Sequence, residues 1–436
     1  MSVVQSFGEL VQPLSVVMTV PTFLNFVTVL TGWLFAQRHT VTASLVAVGR
    51  GATKHHSVYH RLFASAQWSV DELGLAVAAL ILPWLGAGTI FVAVDDTLAR
   101  KRGKKIFGVG MHHDPLISTR KTALMNWGHS WVVLGLIVRF PFHPHRCFCL
   151  PVLWRLYRSQ QTVHREGGAY RTRPELAVEL VQMLCARFGQ RHFHVIGDGA
   201  YGGQNVLKQL PANCDLTSRL LLEARLYEAA PPRRRGQSGR PRKRGKRLPP
   251  PRQMLAQRAQ RVSLAIYGRH DRVRLADLMA YLHAVPQRAV RVVAVEPLSG
   301  GRTAQAFYST CLSATAVEIL SWYAMRWSIE QAFQESKTYL GFEQPQGWTR
   351  RAVQRTAPTA MLLYSLVILW FAGWGHQGWQ APRRSWYRCK RWPSFADMLA
   401  ALRWQSVRAE VLHRAGPTKG VQKPLLNLLK TLKCAA

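Results

Sequence analysis

The chain has 436 residues, and its 58 Lys and Arg against 22 Asp and Glu give a formal net charge of +36. A positive field of this size destabilises a compact protein unless a polyanion neutralises it, so nucleic acid is the expected partner. The basic residues are spread along the chain among 15 Trp rather than gathered beside one amphipathic helix, which argues against an anionic membrane surface.

Hydrophobic residues and cysteines indicate a soluble protein from a reducing compartment. With 48% hydrophobic residues, the chain can bury a large core in about two to four domains. Seven cysteines without regular spacing are typical of the cytoplasm. No signal peptide is expected, because the N-terminus lacks a positively charged region and a cleavage site. The apolar segments 16–35 and 360–374 are interpreted as buried helices, since the first contains Pro21 and the second is shorter than the ~20 residues of a membrane span.

The first 85 residues have helical periodicity. Residues 40–48, two glycines and residues 57–63 resemble a helix–turn–helix, which would suit recognition of a DNA end. The exposed residues of this unit are predicted to be Lys54, His55, His56, His60 and Arg61. The alternative is an ordinary helical bundle, which has the same periodicity.

Two apolar segments end in acidic residues. Residues 89–94 lead into Asp95-Asp96-Thr97, and residues 192–197 lead into Asp198. Their β-branched and aromatic residues predict central strands covered on both faces, and residues 131–138 predict another buried strand. An acid at the end of such a strand is costly to bury unless it binds a cation or is paired. Taken singly, each aspartate could instead be a helix cap or a turn residue.

A basic segment interrupts the chain between residues 231 and 251. It holds nine Arg or Lys among residues 233–247 and a Gly239-Arg-Pro-Arg-Lys-Arg sequence that resembles the core of an AT-hook. Such a segment can insert arginines into a narrow A·T minor groove. The alternative is a disordered basic linker that touches only phosphate. Both interpretations predict DNA binding by Arg233, Arg234, Arg235, Arg240, Arg242, Lys243, Arg244, Lys246 and Arg247.

Strands are predicted again after this segment, at residues 262–267, 289–295 and 304–310. The basic tail from residue 383 has one helical period, through Phe395, Met398, Leu399 and Leu402. Dimerisation and DNA binding are both open as roles of the tail.

The segment Tyr323–Lys337 predicts a helix with one chemically unusual face. At about 100° per residue, one narrow stripe carries Tyr323, Arg326, Glu330 and Lys337. One acid beside two cations suits a metal-bound phosphodiester, because the carboxylate can hold the metal while the cations hold phosphate oxygens. The alternative is a solvated face with salt bridges. Together with the two strand acids, however, Glu330 completes a strand–strand–helix triad of carboxylates.

These motifs resemble a known family. The Tyr-x2-Arg-x3-Glu-x6-Lys pattern is similar to the signature helix of DDE transposases of the insertion-sequence-four superfamily. Asp198 in Gly-Asp-Gly-Ala-Tyr resembles their second aspartate, and Asp95-Asp96-Thr97 resembles their first, with Lys101-Arg-Gly downstream. Asp95 is favoured as the first metal ligand because the second position varies between Asp and Glu in that branch. Asp96 is the alternative, and adjacent strand residues point to opposite faces.

The resemblance implies an α/β fold with an RNase H-like catalytic core, a β-rich insertion and a helical N-terminal domain. The predicted boundaries are 1–85 for the helical DNA-end-binding domain, 86–210 and 313–375 for the two parts of the core, 211–312 for the insertion, and 376–436 for the basic C-terminal region.

The resemblance also implies a mechanism. Asp95, Asp198 and Glu330 would hold two Mg²⁺ ions, for which Mn²⁺ can substitute, while Tyr323, Arg326 and Lys337 position the DNA phosphates. Water would cleave at the element ends, and the freed 3′-hydroxyl would attack target DNA, giving cut-and-paste transposition. The expected partners are double-stranded terminal inverted repeats and target DNA, bound by a homodimer in the bacterial cytoplasm at the nucleoid. The alternatives are an inactive transposase-derived DNA-binding protein and an RNase H-like nuclease without strand transfer.

Overall fold

The computed structural model describes residues 2–114, 117–119, 122–233, 238–266, 269–298, 303–381 and 390–415. Within them, twelve strands form one mixed sheet. The strands are β1 (Ile90–Arg100), β2 (Gly110–His113), β3 (Met125–Val138), β4 (Phe148–Tyr157), β5 (Phe193–Gly197), β6 (Cys214–Leu220), β7 (Leu226–Tyr227), β8 (Arg247–Leu248), β9 (Gln260–Ile266), β10 (Arg269–Leu282), β11 (Val285–Pro297) and β12 (Gln305–Ser309).

One end of the sheet has the order β4–β3–β1–β5–β6. Strand β1 is antiparallel to β3 and parallel to β5, and β5 is parallel to β6. The central position predicted for the two acid-bearing strands is therefore confirmed. The prediction that an acid ends each strand is right for Asp198 but wrong for Asp95, because β1 continues to Arg100. Strand β5 stops pairing opposite Val94, whereas β3 remains paired through Arg100, so only one edge of β1 opens beside Asp95.

The strands between Asp198 and Glu330 do not form a separate sheet. Strand β12 pairs with β6 on one side and β11 on the other, so β11, β10, β7 and β8 extend the same sheet. The three predicted strands are present as β9, β11 and β12, whereas β10 was not predicted. The basic segment 231–251 contains β8 and links it to β7, so both of its ends are anchored in the sheet.

Thirteen α-helices lie within the described residues. They are α1 (Gln5–Val11), α2 (Val20–Phe35), α3 (Val41–Val48), α4 (His56–Ala64), α5 (Val70–Ile81), α6 (Gln160–Glu166), α7 (Arg173–Arg187), α8 (Gln204–Gln209), α9 (Pro251–Arg258), α10 (Ala316–Met325), α11 (Trp327–Leu340), α12 (Arg350–Gly373) and α13 (Phe395–Ala415). Short 3₁₀ helices span Gln12–Val17, Gly49–Gly51, Leu82–Leu85, Gly199–Gly202 and Gly375–Gly378.

The N-terminal helices share their core with the sheet. One cluster of buried apolar side chains runs from Phe7 through β1, β3 and β5 to Leu402 in α13. Helices α3 and α4 lie where the helix–turn–helix was predicted, and all five basic residues predicted to be exposed there are exposed. A role of these helices at DNA ends, and the boundary at residue 85, stay predictions.

Helix α12 lies over the end of the sheet that β4 forms. Within the described chain it alone is long and apolar enough to cross a membrane, but 94% of its apolar stretch is buried inside the protein. It packs on β4 and α11, as predicted for residues 360–374. The four apolar residues of the predicted helical period in α13 are also buried, and the Phe395 ring lies 4.7 Å from the Tyr364 ring of α12.

Candidate active site

One arginine joins the strand carboxylate to the helix carboxylate. The Arg326 Nη1 atom donates to Asp95 Oδ2, and Nη2 donates to Glu330 Oε1 at 2.6 Å. The side chains of Asp95 and Arg326 are each only 15% exposed, so water screens this pairing weakly. Two acids separated by more than 200 residues in sequence are therefore brought to one point, on β1 and α11.

The predicted single helix through residues 323–337 is in fact two helices, which meet at Arg326. Helix α10 ends at Met325 and α11 begins at Trp327. The Arg326 amide donates to the Tyr323 carbonyl and the Ile329 amide donates to the Arg326 carbonyl, so the backbone tightens to i→i−3 bonds at this point. This break places Arg326 at a helix junction beside the two carboxylates.

Asp198 supplies a third carboxylate near Asp95. It follows β5 directly, its Oδ1 accepts a hydrogen bond from the Ala200 amide at 2.9 Å, and its carbonyl accepts one from Ser218 Oγ at 2.7 Å. Burial raises the pKa of Asp95 to about 7; the nearby Arg326 lowers it, and the negative charge of Asp198 raises it further. Asp198 therefore lies close enough for its charge to act on Asp95, which Arg326 joins to Glu330.

Asp96 has different partners from its neighbour Asp95. Its Oδ1 accepts a hydrogen bond from the Tyr201 hydroxyl at 2.7 Å, and its Oδ2 lies 3.2 Å from Arg173 Nε and 3.4 Å from Ser130 Oγ. The alternation of side chains along β1 sends the two acids to opposite faces. Asp95, not Asp96, therefore meets Glu330. Sequence reasoning did not predict the partners Ser130 and Arg173, because neither stands in a recognisable motif.

The other two residues of the signature pattern are partly buried. The Tyr323 ring packs 4.5 Å from the Phe307 ring and 5.8 Å from the Arg326 guanidinium carbon. Lys337 Nζ donates to the Leu98 carbonyl of β1 at 2.7 Å, and burial lowers its pKa. Lys337 therefore fastens α11 along β1.

A polar cleft of about 630 Å³ lies beyond Lys337, where α11 ends. Lys101 lies in the wall of this cleft, and its Nζ donates hydrogen bonds to the carbonyls of Glu343 and Pro345, at 2.8 and 2.9 Å. Glu343, which sequence reasoning missed, accepts a hydrogen bond from the Arg100 amide at 3.1 Å. The turn into this loop requires Gly341, which has a φ of 59°, and a Cβ there would lie 2.5 Å from His39 Nδ1.

The basic segment presents most of its predicted DNA-binding side chains to solvent. The exposed members are Arg233, Arg240, Arg242, Lys243, Lys246 and Arg247. Arg244 differs, because it is half-buried, donates to the His283 carbonyl at 3.2 Å and lies over the Tyr227 ring. Arg234 and Arg235 lie outside the described residues.

The carboxylates fit a hard divalent cation by their chemistry. Among the described residues, no three His, Cys, Asp or Glu side chains lie close enough as they stand to hold a metal ion. However, carboxylate oxygens are the ligands that Mg²⁺ prefers, and two of them already converge on one cationic group. That group is the Arg326 guanidinium. Its Nε atom is buried without a hydrogen-bond partner in the described part of the chain, so Arg326 does not use all its donors where it lies between the carboxylates.

Comparisons with known proteins agree with this chemistry. A family model described as DDE superfamily endonuclease matches residues 25–276, a range that includes Asp95 and Asp198 and ends before Glu330. A "Probable transposase for insertion sequence element IS701" from Microchaete diplosiphon is 24% identical over 153 residues. That match covers 35% of this chain and 37% of the relative.

Proposed function

The chain belongs to the DDE superfamily of endonucleases, and from this premise we propose that it is the transposase of an insertion sequence in the insertion-sequence-four superfamily. The observation that carries the proposal is the bridge from Asp95 through Arg326 to Glu330, with Asp198 beside it. In the order β4–β3–β1–β5–β6, strand β3 is antiparallel to β4 and β1, whereas β1, β5 and β6 are parallel to one another. This arrangement supports an RNase H-like core. The helices before residue 85 would then form a domain that binds DNA ends.

In this proposal Asp95, Asp198 and Glu330 hold two Mg²⁺ ions, or Mn²⁺ in their place. Bound there, the metal would activate the attacking oxygen and stabilise the leaving oxygen of the phosphodiester. Arg326 and Tyr323 lie at the same place and bind non-bridging phosphate oxygens, which suits the fork of donors on a guanidinium. Lys337 keeps Glu330 facing Asp95 by holding α11 on β1.

The DNA partners follow from the charge and from the reaction. Two element ends must be cut and joined to target DNA, so we propose a homodimer that holds two terminal inverted repeats. The basic segment would follow the duplex outside the active site, through its exposed arginines and lysines. The reaction is cut-and-paste movement, in the cytoplasm at the nucleoid.

A two-plasmid assay tests the proposal. A donor plasmid carries the short inverted repeats read from the genomic DNA on either side of the gene, and the full-length chain is added with Mg²⁺ and a target plasmid. We expect excision at the repeats and joined products in the target, and neither with the Asp198→Asn variant. Excision without joined products would contradict strand transfer and identify a nuclease of the same family. The absence of both products would support a DNA-binding protein without catalysis.

A further inference from the structure

We propose that Arg326 occupies the metal position of the site while DNA is absent, and that it must release the carboxylates before they can bind Mg²⁺, a release that a DNA phosphate favours by binding the guanidinium. The inference rests on the proposed function, because it assigns Asp95 and Glu330 as metal ligands. It makes metal binding and DNA binding mutually dependent, with one side chain as the link between them.

The contacts of Arg326 are ones that a metal ion can replace. Its hydrogen bonds in the described part of the chain go to Asp95 and Glu330, and its buried Nε has no partner there. Arg355 provides a contrast, because this buried arginine donates to the backbone carbonyls of Phe63, Ala66 and Trp68. Backbone carbonyls hold Arg355 whatever the state of the site. Arg326, however, is held by the same two carboxylates that a metal would bind, and by the Tyr323 ring 5.8 Å from its guanidinium carbon.

When all three acids are ionised, the charges at the site are unbalanced without a further cation. Asp95, Asp198 and Glu330 face one guanidinium, and within the described residues Asp198 forms no ion pair. Burying carboxylates without matching positive charge is costly, and a divalent ion supplies the missing charge. A guanidinium and a metal ion cannot share the same carboxylate oxygens, because each needs their lone pairs and the two cations repel each other.

A DNA phosphate offers the Arg326 guanidinium an alternative set of hydrogen-bond acceptors. A guanidinium has five N–H donors. Nη1 and Nη2 each donate one hydrogen bond to a carboxylate, so three donors remain for a phosphate. Glu330 is 33% exposed, so the site is open to solvent on the side where this carboxylate meets Arg326. Phosphate binding on that side would release Asp95 and Glu330, and by linkage metal binding would strengthen phosphate binding by the same factor.

Mn²⁺ binding to the full-length chain, followed by the electron paramagnetic resonance signal of free Mn²⁺, tests the inference without any catalytic readout. We expect Arg326→Gln to bind Mn²⁺ at least about tenfold more tightly than wild type in the absence of DNA, a typical size for coupling between sites. The matched control is Arg173→Gln, which removes an arginine paired with Asp96 and should leave Mn²⁺ affinity unchanged. Equal or weaker Mn²⁺ binding by Arg326→Gln would overturn the inference.

Two further experiments distinguish a failure of this inference from a failure of the proposed function. Adding Glu330→Gln to the Arg326→Gln variant should remove the tight Mn²⁺ binding; if it does not, the metal site of the proposed function is wrong as well. On the unmodified chain, Mn²⁺ should speed the reaction of Arg326 with phenylglyoxal by at least about threefold over EDTA, as measured by mass spectrometry against Arg355 as internal reference. An unchanged Arg326 rate in saturating Mn²⁺ would overturn the inference independently of any variant.

Discussion

The Tyr201 hydroxyl donates a 2.7 Å hydrogen bond to Asp96 Oδ1 and so ties the turn after β5 to the middle of β1. That turn carries Asp198, and its Gly202 carbonyl accepts a second bond from the Tyr308 hydroxyl at 2.6 Å. Asp96 therefore fixes the position of Asp198 relative to Asp95, although it points away from Glu330. The acid next to the proposed metal ligand is a positioning residue.

Replacing Tyr201 with Phe should test this connection. The change removes the hydroxyl from a buried site and leaves one Asp96 oxygen without its partner, so the free energy of unfolding should fall by about 1–2 kcal/mol. Urea denaturation of the full-length chain measures it. Tyr170→Phe is the control, because that hydroxyl is in a partly exposed 3.4 Å contact and its loss should change stability by less than about 0.5 kcal/mol. Equal stability of wild type and Tyr201→Phe would refute the anchoring role.

Asparagine at each of the two adjacent acids should separate their roles. We expect Asp95→Asn to abolish Mg²⁺-dependent cleavage, since it removes a charged ligand. We expect Asp96→Asn to retain cleavage and to lose roughly 1 kcal/mol of stability, because its amide oxygen still accepts from Tyr201 while the ion pair with Arg173 is lost. Cleavage assays and unfolding curves on the same preparations measure both. An active Asp95→Asn with an inactive Asp96→Asn would move the metal ligand by one residue.

The sequence was sufficient to predict the central strands that carry Asp95 and lead to Asp198, but not how the candidate site residues are held. The apolar runs before Asp95 and Asp198 are local signals, and they predicted the central strands correctly. The helix break at Arg326 has no local signal, since neither proline nor glycine stands there. The Tyr201–Asp96 bond joins residues 105 positions apart, and they meet because β5 pairs with β1 and the 3₁₀ helix Gly199–Gly202 follows β5.

Stability without metal should depend on pH through Asp95. Burial raises the pKa of this carboxyl from 3.8 to about 7, with Asp198 adding to the rise and Arg326 opposing it. Because the folded state favours the protonated acid, the stabilising contribution is complete below about pH 4 and is lost as pH rises through about 7. In EDTA, wild type should therefore lose on the order of a few kcal/mol relative to Asp95→Asn between about pH 5 and about pH 8.

Chemical denaturation of both proteins across this pH range provides the measurement, and the difference between them cancels the titration of other groups. Mg²⁺ should reduce the loss in wild type, because the metal stabilises the ionised carboxylate. Parallel stability curves for the two proteins in EDTA would show that Asp95 does not titrate as its burial requires.

The basic segment should recognise the width of the DNA minor groove as well as the phosphate charge. Arg240 and Arg242 are exposed in a loop anchored by β7 and β8, so replacing both with Ala should weaken binding to A·T-rich duplex more than to G·C-rich duplex. Each arginine that neutralises a phosphate adds about 0.9 to the log–log slope of affinity against salt, so the double variant should also show a flatter salt dependence. A double variant at the exposed Arg187 and Lys208 of α7 and α8 removes the same charge and serves as the control.

Equal loss of affinity for the two duplexes would reduce the segment to a phosphate-binding loop. No loss for either duplex would mean that the loop faces away from DNA. Sequence composition identified this segment, but only the structure distinguishes its members, since Arg244 packs on Tyr227 and bonds to His283.

The most direct test of the proposed metal-binding triad is cleavage of the element-end DNA in Mg²⁺ by Glu330→Gln. The variant preserves the size of the side chain and removes one charge, so folding and end binding should be unchanged while cleavage falls by more than about a hundredfold. Glu335→Gln is the matched control on the same helix, because Glu335 pairs with Arg146 and accepts from the Tyr364 hydroxyl instead of facing Asp95. Cleavage by Glu330→Gln within about tenfold of wild type would contradict the triad.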